Sequence, residues 1–448
     1  MKVAKFGGSS VANAEQLKKV ANIIKADKDR RIVVVSAPGK RLSEDIKVTD
    51  LLIALGDAYR KGEDYTTELN NVLERFESIL IELDLSKHVL KDIVKQVEFI
   101  THQGGDLAFK LDAIKAIGED TLAKILSEYL VKEGLNAKYV NPKDAGLILS
   151  DEPGGAQILD ESFPILYKLR EANEILIIPG FFGYTKAGKL VTFSRGGSDI
   201  TGSIVAAGVH ADLYENFTDV DSVYCVNPQF VPHPKEIHTL TYKEMRELSY
   251  AGFSVFHAEA LIPAFKGKIP VCIKNTNNPS GRGTMIVSEK PEQAQSVVGI
   301  ASDDGFVSLY VSKYLMNREI GFGRRLLNIL EDEGISFEHT PSGIDDLSVI
   351  IREDQLTDEK EQVVINRINK ELKPDMVYID RGLALVMIVG EGMHSFVGTA
   401  AKATRAFQDA NVNLEMINQG SSEVSMMFGI KEEGVERAVQ SLYHVFFE

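Results

Sequence analysis

Positive charge is in short supply: 50 Lys and Arg against 65 Asp and Glu leave a formal net charge of −15 at pH 7. That deficit argues against nucleic acid or an anionic membrane as partner, because both require a clustered positive field, and it requires any phosphate site to be locally positive. Cysteine is nearly absent. Cys225 and Cys272 stand far apart without metal-ligand spacing, which gives no basis for a disulfide framework and reads as reduced, half-buried thiols in a cytosolic protein. No apolar run reaches the length of a membrane span, and the first residues read as a strand rather than as a charged and then apolar leader. A soluble, cytoplasmic protein is expected. Two familiar phosphate signatures are missing from the glycine turns as well. Neither the Walker pattern, with Lys between the last Gly and a Ser or Thr, nor G-x-G-x-x-G occurs there.

What is present begins with length, since 448 residues exceed a single usual core and imply two or three domains. The organising stretch is Leu190 to Ser203, LVTFSRGGSDITGS, in which a short apolar run stops at Ser194 and passes through glycines into a small-residue helical pattern. Gly196 and Gly197 let backbone N–H groups approach an anion, Ser198 or Asp199 can cap the helix, and Arg195 offers a planar fork for a carboxylate or phosphate. Alone, the segment reads equally well as an ordinary strand-to-helix connection whose Arg and Asp pair with each other. Met1 to Val11, MKVAKFGGSSV, repeats the device: a strand carrying Lys5, then Gly7-Gly8-Ser9-Ser10, then the helical run Ala14 to Ala26. Two such turns imply two anion sites or one shared site.

Together, KFGGSSV near the start, VTFSRGGSD around residue 195 and NFTDVDSVY at Asn216 to Tyr224 resemble the aspartokinases of the amino-acid kinase family, over essentially all 448 residues. The resemblance implies a three-layer αβα sandwich with a mainly parallel sheet over residues 1–288. It implies that the γ-phosphoryl of ATP passes to the β-carboxylate of L-aspartate, the first step toward lysine, threonine and methionine. Mg²⁺ would be carried by the nucleotide, with no metal site of the protein's own. Carried over position by position, the family pattern puts Lys5, Gly7, Gly8 and Ser9 on the phosphates. Ser36, Thr49, Glu119, Phe181, Arg195 and Ser198 would hold the amino-acid substrate, and Thr218, Asp219 and Tyr224 would form the nucleotide pocket. Lys5 and Asp199 would be the catalytic pair, with Asp199 positioning Lys5. THQGGD at 101–106 is a competing match for the Glu119 motif. Two expected basic contacts are missing, because the family's Asp-Pro-Arg is Asn227-Pro228-Gln229 here and its nucleotide-side Lys is Ser254.

Periodicity supplies the local structure. A strand at Val3 to Phe6, the helix Ala14 to Ala26 and a strand at Arg31 to Ser36 open a parallel βαβ unit, and a helix resumes at Val48. Residues 63–135 read as mostly helical, with Gly118-Glu119-Asp120 as a step before a helix Thr121 to Lys132 that Asp120 caps. Strand and helix signals return at 138–140, 146–150, 162–170 and 175–179. A hairpin, a helix at Asp199 to Gly208 and strands at Asp212 to Glu215 and Ile269 to Ile273 follow, with SEKPEQAQS as a linker. His233 and His238 read as a solvated turn and His257 as a packed structural residue.

The tail is an internal repeat. With an offset of 77, Ile335 aligns with Val412, Glu338 with Glu415, Gly343 with Gly420 and Ser348 with Ser425. Each copy reads as a βαββαβ unit, a form with one uncovered sheet face that tends to pair. The units resemble ACT domains, the first at 298–380 completed by a C-terminal strand 443–448, the second at 381–442. In lysine-sensitive relatives the effector sits in the first repeat, which corresponds to Met316, Phe322, Gly323, Ser336, Glu338, Ser342, Gly343 and Asp345. Lysine is the effector expected first, with threonine as the alternative, and a homodimer or dimer of dimers is expected. The repeats read equally as dimerisation modules alone.

A carboxylate acceptor is already ionised at pH 7, so no general base is required, and catalysis reduces to positioning and charge neutralisation. Arg195 would clamp the α-carboxylate, Glu119 the ammonium, and Thr49 with Ser198 would orient the substrate. The rival readings are a kinase for another amino acid or a nucleoside monophosphate, and a catalytically idle amino-acid sensor on the same scaffold. A fused homoserine dehydrogenase is not expected, since the second repeat reaches the end of the chain.

Overall fold

The computed structural model describes every residue except Arg195, 254–257, 291–294, Ser421 and Glu423. The chain divides into two compact units, Met1–Val223 with Glu236–Tyr242 and Val255–Lys290, and Tyr224–Lys235 with Lys243–Ser254 and Pro291–Glu448.

The first unit opens with β1 (Lys2–Phe6), α1 (Ala14–Ala26) and β2 (Arg30–Val35), then four helices, α2 (Val48–Lys61), α3 (Thr66–Glu82), α4 (His88–His102) and α5 (Leu107–Lys132). Short elements follow: β3 (Ala137–Tyr139), α6 (Pro142–Ala145), β4 (Ile148–Leu149), α7 (Ser162–Tyr167), β5 (Ile175–Pro179), and the hairpin β6 (Phe182–Thr185) and β7 (Leu190–Thr192). Next along the chain come α8 (Gly197–Gly208), β8 (Leu213–Thr218), β9 (Val223–Tyr224), β10 (Glu236–Ile237), β11 (Thr239–Thr241), α9 (Tyr242–Tyr250), α10 (Ile262–Lys266), β12 (Val271–Asn275) and β13 (Thr284–Val287), of which Tyr224 and α9 beyond Tyr242 belong to the second unit. The main sheet runs β11-β13-β12-β8-β1-β2-β5-β3, parallel from β12 to β3 and reversed at β13.

Strand alternation sets the layers. Ala4 and Phe6 of β1 point into a buried cluster that gathers apolar residues from α1 to α5, so Lys5 must point to the opposite face, where α8 lies. α1 begins at Ala14, as its apolar spacing predicts, with the Asn13 side chain accepting from the Gln16 N–H.

Three local expectations are corrected. Gly118-Glu119-Asp120 is not a helix start: α5 runs unbroken from Leu107 to Lys132, capped by Asp106. Gly118 is there for contact, since a Cβ on it would lie 2.8 Å from the Ala37 Cβ. Ser198 and Asp199 do not cap α8, because Gly196, at a φ of 74° open mainly to glycine, takes the N-cap and the helix starts at Gly197. β8 extends to Thr218, which puts Asn216 and Thr218 in the strand rather than in a loop.

The regulatory region of the second unit comprises β14 (Gly299–Ser312), α11 (Phe322–Asp332), β15 (Asp346–Arg352), α12 (Asp358–Glu371), β16 (Met376–Val389), α13 (Thr399–Asp409), β17 (Met416–Asn418), β18 (Ser425–Lys431) and α14 (Val435–Phe447). One antiparallel sheet, β15-β14-β16-β18-β17, serves both repeats. β14 and β16 are shared: Phe306 to Ser312 pairs with β15 and with the first half of β16, whereas Gly299 to Asp303 pairs with the second half of β16. The expected strand at 443–448 is therefore corrected. Those residues continue α14, whose Leu442, Tyr443 and Phe447 are buried at helical spacing; in the first repeat Phe306 to Ser312 is flanked by β15 and the first half of β16, and Gly299 to Asp303 is added to the second repeat instead.

Candidate active site

Both glycine turns open on one cavity of about 1230 Å³ in the first unit. Gly8 and Ser9 line it from the first turn, Gly196, Gly197, Ser198 and Asp199 from the second, with Ser36, Thr49, Glu119, Phe181 and Asp219 around them. The shared-site alternative is the one realised.

Lys5 is 5% exposed, and its Nζ lies 2.5 Å from Asp199 Oδ1. Asn216, the in-register neighbour of Lys5 on β8, donates to the same oxygen at 2.6 Å. A strand cation and a strand amide thus fix one helix carboxylate, leaving the ammonium at the carboxyl end of β1, beside the glycine turn. A Cβ on Gly7 would stand 3.4 Å from Lys5 Nζ. The turn is braced by the loop after β2, where the Gly39 N–H donates to the Gly8 carbonyl at 2.8 Å.

The cavity wall also holds a buried carboxyl. Glu119 is 4% exposed, projects from the middle of α5, and one of its oxygens has no hydrogen-bond partner among the described residues. Burial pushes this carboxyl up to about 8, against the smaller opposing effect of the Ala37 N–H. A buried acceptor with an open lone pair is suited to a cationic or hydroxyl donor from a ligand. Phe181 sits at a φ of 77°, strained for a side chain of its size, and is held by its N–H to Thr201 Oγ1 at 3.0 Å and by its carbonyl accepting from the Phe193 N–H at 2.9 Å. Gly180 makes room for Ser198: a Cβ there would lie 2.7 Å from the Ser198 Cβ.

Of the remaining expected residues, Thr218 closes β8 and its hydroxyl donates to Asp219 at 3.1 Å, while Tyr224 falls in the second compact unit. Arg195, Ser254 and His257 lie outside the described residues. Gln229 has its N–H tied to Asn227 Oδ1 at 2.9 Å, and His233 and His238 are exposed. THQGGD lines a separate cavity of about 590 Å³ with Phe99, Phe109 and Asp120, away from the glycine turns.

Sequence reasoning assigned nothing to Lys40, Arg41, Lys47 or Lys115, all of which line the large cavity. The first three add positive charge to the wall of this cavity in an otherwise acidic chain, and the PGKR run after β2 is the signal for Lys40 and Arg41, with none for Lys47. Arg41 is oriented by Asp45 at 2.8 Å. Arg41, and Arg75 beside it, hold the Asp45 carboxyl far below its ordinary range.

The expected effector residues are dispersed on this chain. Ser342 and Gly343 line a cavity of about 410 Å³ along the uncovered sheet face, with Ser308, Tyr310 and Tyr378. Met316 and Phe322 are buried in the apolar cluster under α11, with Gly323 half-buried beside them. The Ser336 hydroxyl donates to Gln355 at 2.8 Å, Asp345 accepts from the Leu315 N–H at 2.8 Å, and Glu338 is engaged by Tyr250.

The sequence pattern of the amino acid kinase family matches residues 1–275, and that of an ACT domain matches 386–446. Aspartokinase 3 of Bacillus subtilis is 57% identical over 100% of this chain and 99% of its own length. The crystal structure of Clostridium acetobutylicum aspartate kinase, an allosteric enzyme, superposes with a TM-score of 0.88 at 38% identity, covering 100% of both chains. Escherichia coli aspartokinase III, crystallised with lysine and aspartate, shares the fold at a TM-score of 0.79 and 24% identity, again over 100% of both chains. Among the described residues no helix is long and apolar enough to cross a membrane. The chain belongs to the amino acid kinase family and, within it, to the aspartokinases that carry a C-terminal ACT region.

Proposed function

We propose that the large cavity of this aspartate kinase seats ATP and L-aspartate side by side and transfers the γ-phosphoryl group to the β-carboxylate. The observation that carries this reading is that one cavity is lined by a glycine turn, by Asp199, which holds the Lys5 ammonium, and by the buried Glu119 with an open oxygen. Lys5, with the N–H groups of Gly7, Gly8 and Ser9, neutralises the transferring phosphoryl group. Asp199 and Asn216 hold Lys5 in place and take no proton.

Glu119 receives the substrate ammonium, Ser36, Thr49 and Ser198 orient its carboxylates, Arg195 clamps the α-carboxylate and Phe181 covers it. Thr218 and Asp219 belong to the nucleotide side. Mg²⁺ enters on the nucleotide, neutralising phosphate charge. Asp199 and Asp219 are the oxygen donors of the cavity wall on that side, which fits a hard cation held mostly by phosphate and water. Residues 1–288 form the catalytic part and 298–448 the regulatory part, which takes an end-product amino acid, lysine first. The two buried thiols fit a reducing, cytoplasmic setting, and a homodimer or dimer of dimers is the working assembly.

ATP consumption by the purified chain with L-aspartate as sole acceptor tests the reading, with lysine and threonine added singly and together. Turnover with aspartate that an effector suppresses is the expected result. Turnover only with another acceptor moves the chain to a different substrate, and no turnover with any acceptor favours the sensor.

A further inference from the structure

α5 carries Asp112, Lys115 and Glu119 at spacings of three and four residues, which places all three on one helical face. Glu119 and Lys115 both line the large cavity, about one turn apart. Asp112 lies behind them, 2% exposed, with both of its oxygens engaged. Its Oδ2 accepts the Gly154 N–H and the Thr192 N–H, each at 2.8 Å, and its Oδ1 takes the Lys115 ammonium at 2.7 Å.

Those partners are not arbitrary. Gly154 is itself part of the cavity wall, and Thr192 is the last residue of β7, directly ahead of Phe193 and Ser194, which also line it. One buried carboxylate therefore fixes a loop, a strand end and a lysine around the end of the cavity where Glu119 stands. Lys115 is about a quarter exposed, so its ammonium is held on one side by Asp112 and open on the other.

We propose that Lys115 is a carboxylate-binding residue of the acceptor pocket and that Asp112 is its positioning residue. The proposal rests on the acceptor reading given above, and follows from charge matching. A dicarboxylic amino acid brings two carboxylates and one ammonium. Glu119 answers the ammonium and Lys5 is committed to the phosphoryl side, so the α-carboxylate requires cations at the Glu119 end. Lys115 supplies one there, beside the region that Arg195 enters in sequence. A lysine held by a carboxylate whose other oxygen is saturated by backbone N–H groups is pre-oriented, which reduces the ordering cost of binding. The pair thereby selects an acceptor whose carboxylate sits one helical turn from its ammonium contact.

Steady-state kinetics with aspartate and ATP varied independently test this, on the full chain, with Lys115→Met, Lys115→Arg and the double variant Asp112→Asn/Lys115→Met. The double variant removes both charges together, so a fold weakened by an unpaired buried carboxylate in the single Met variant does not decide the outcome. The KM for aspartate should rise about tenfold or more in both Met variants, the scale of one lost charge-assisted hydrogen bond, with the KM for ATP within about twofold of wild type. Lys115→Arg should recover most of the loss. An unchanged aspartate KM in the double variant, with wild type active on aspartate, overturns the proposal. Parallel rises in both KM values together with a lowered melting temperature assign the pair to wall stability alone and also overturn it. A wild type inactive on aspartate would instead remove the reading on which the proposal rests.

Discussion

The Tyr250 hydroxyl donates a short hydrogen bond to the Glu338 carboxylate, within the second compact unit. Glu338 also lies 3.8 Å from Arg352, whose guanidinium pairs with Asp303 and stacks over Phe306 at 4.5 Å. The carboxylate that the resemblance to lysine-sensitive relatives places at the effector site therefore already has Tyr250 as a partner on one oxygen. Burial, with Glu338 alongside, pushes the Tyr250 phenol above its ordinary range, so it remains a donor at any physiological pH.

An effector that uses this Glu338 oxygen competes with Tyr250. Tyr250→Phe removes that competitor, and one net hydrogen bond corresponds to roughly a two- to tenfold change in binding. The lysine concentration giving half-inhibition should fall by about that factor, with the uninhibited rate within about twofold of wild type. A dose–response curve superimposable on wild type would take Glu338 out of effector binding.

The Lys5–Asp199 pair makes a different demand. Lys5→Ala removes the only charge that the first strand brings to the phosphoryl group, and donors aimed at developing charge are worth about 100- to 1000-fold in turnover. kcat should drop on that scale while the melting temperature changes little, because Asp199 keeps its bond from Asn216 and is about one-fifth exposed. Asp199→Asn should give a smaller loss, since the alternation of β1 still directs Lys5 to the same face and the new amide oxygen can still accept from it. Equal losses in the two variants would show that Asp199 does more than position.

Glu119 gives a pH signature. Its carboxyl is raised from an ordinary 4.5 to about 8 by burial, so the ligand-free protein holds a proton there that the unfolded chain releases. The associated stability is present in full below 4.5 and is lost as pH climbs toward 8, so Glu119→Gln should gain in melting temperature relative to wild type across that interval. Binding an ammonium favours the ionised form. Aspartate affinity should then strengthen from pH 6 to 8 with release of up to one proton, measurable by calorimetry in buffers of different ionisation enthalpy. Flat affinity and no proton release would place the ammonium elsewhere.

How far the sequence reaches can be read from single positions. α1 begins and ends where its spacing predicts, because a strand, a turn and a capped helix are local instructions, whereas the meeting of both glycine turns in one cavity stays open in the sequence, since it depends on segments far apart in the chain. Gly118 misleads in isolation: a glycine in a helical run reads as a break, and only its approach to Ala37 explains it. The shared strand β14 escapes for the same reason, since residues 299–303 pair with 385–389 and nothing local marks so distant a partner. Asp112 is invisible in LDAIKAIGED, where a charged residue reads as a solvated face, because its partners Gly154 and Thr192 arrive from 42 and 80 residues away.

Two glycines give separate steric handles on the nucleotide and acceptor sides proposed for the cavity. A Cβ at Gly39 would stand 2.6 Å from the Gly8 carbonyl carbon and 2.8 Å from the Ser9 nitrogen, all backbone, so the phosphate turn must move. A Cβ at Gly180 would press on Ser198 at 2.7 to 2.9 Å, which displaces a substrate-orienting hydroxyl instead. Overpacking of this kind costs about 1–3 kcal/mol and need not unfold the chain, while a displacement near 1 Å costs up to about 100-fold in turnover. Gly39→Ala should therefore raise the KM for ATP about tenfold or more and leave that for aspartate nearly unchanged, and Gly180→Ala should do the reverse. If both variants shift the two constants equally, the turn and the acceptor wall move as one body, and the division of the cavity into a phosphate side and an amino-acid side fails.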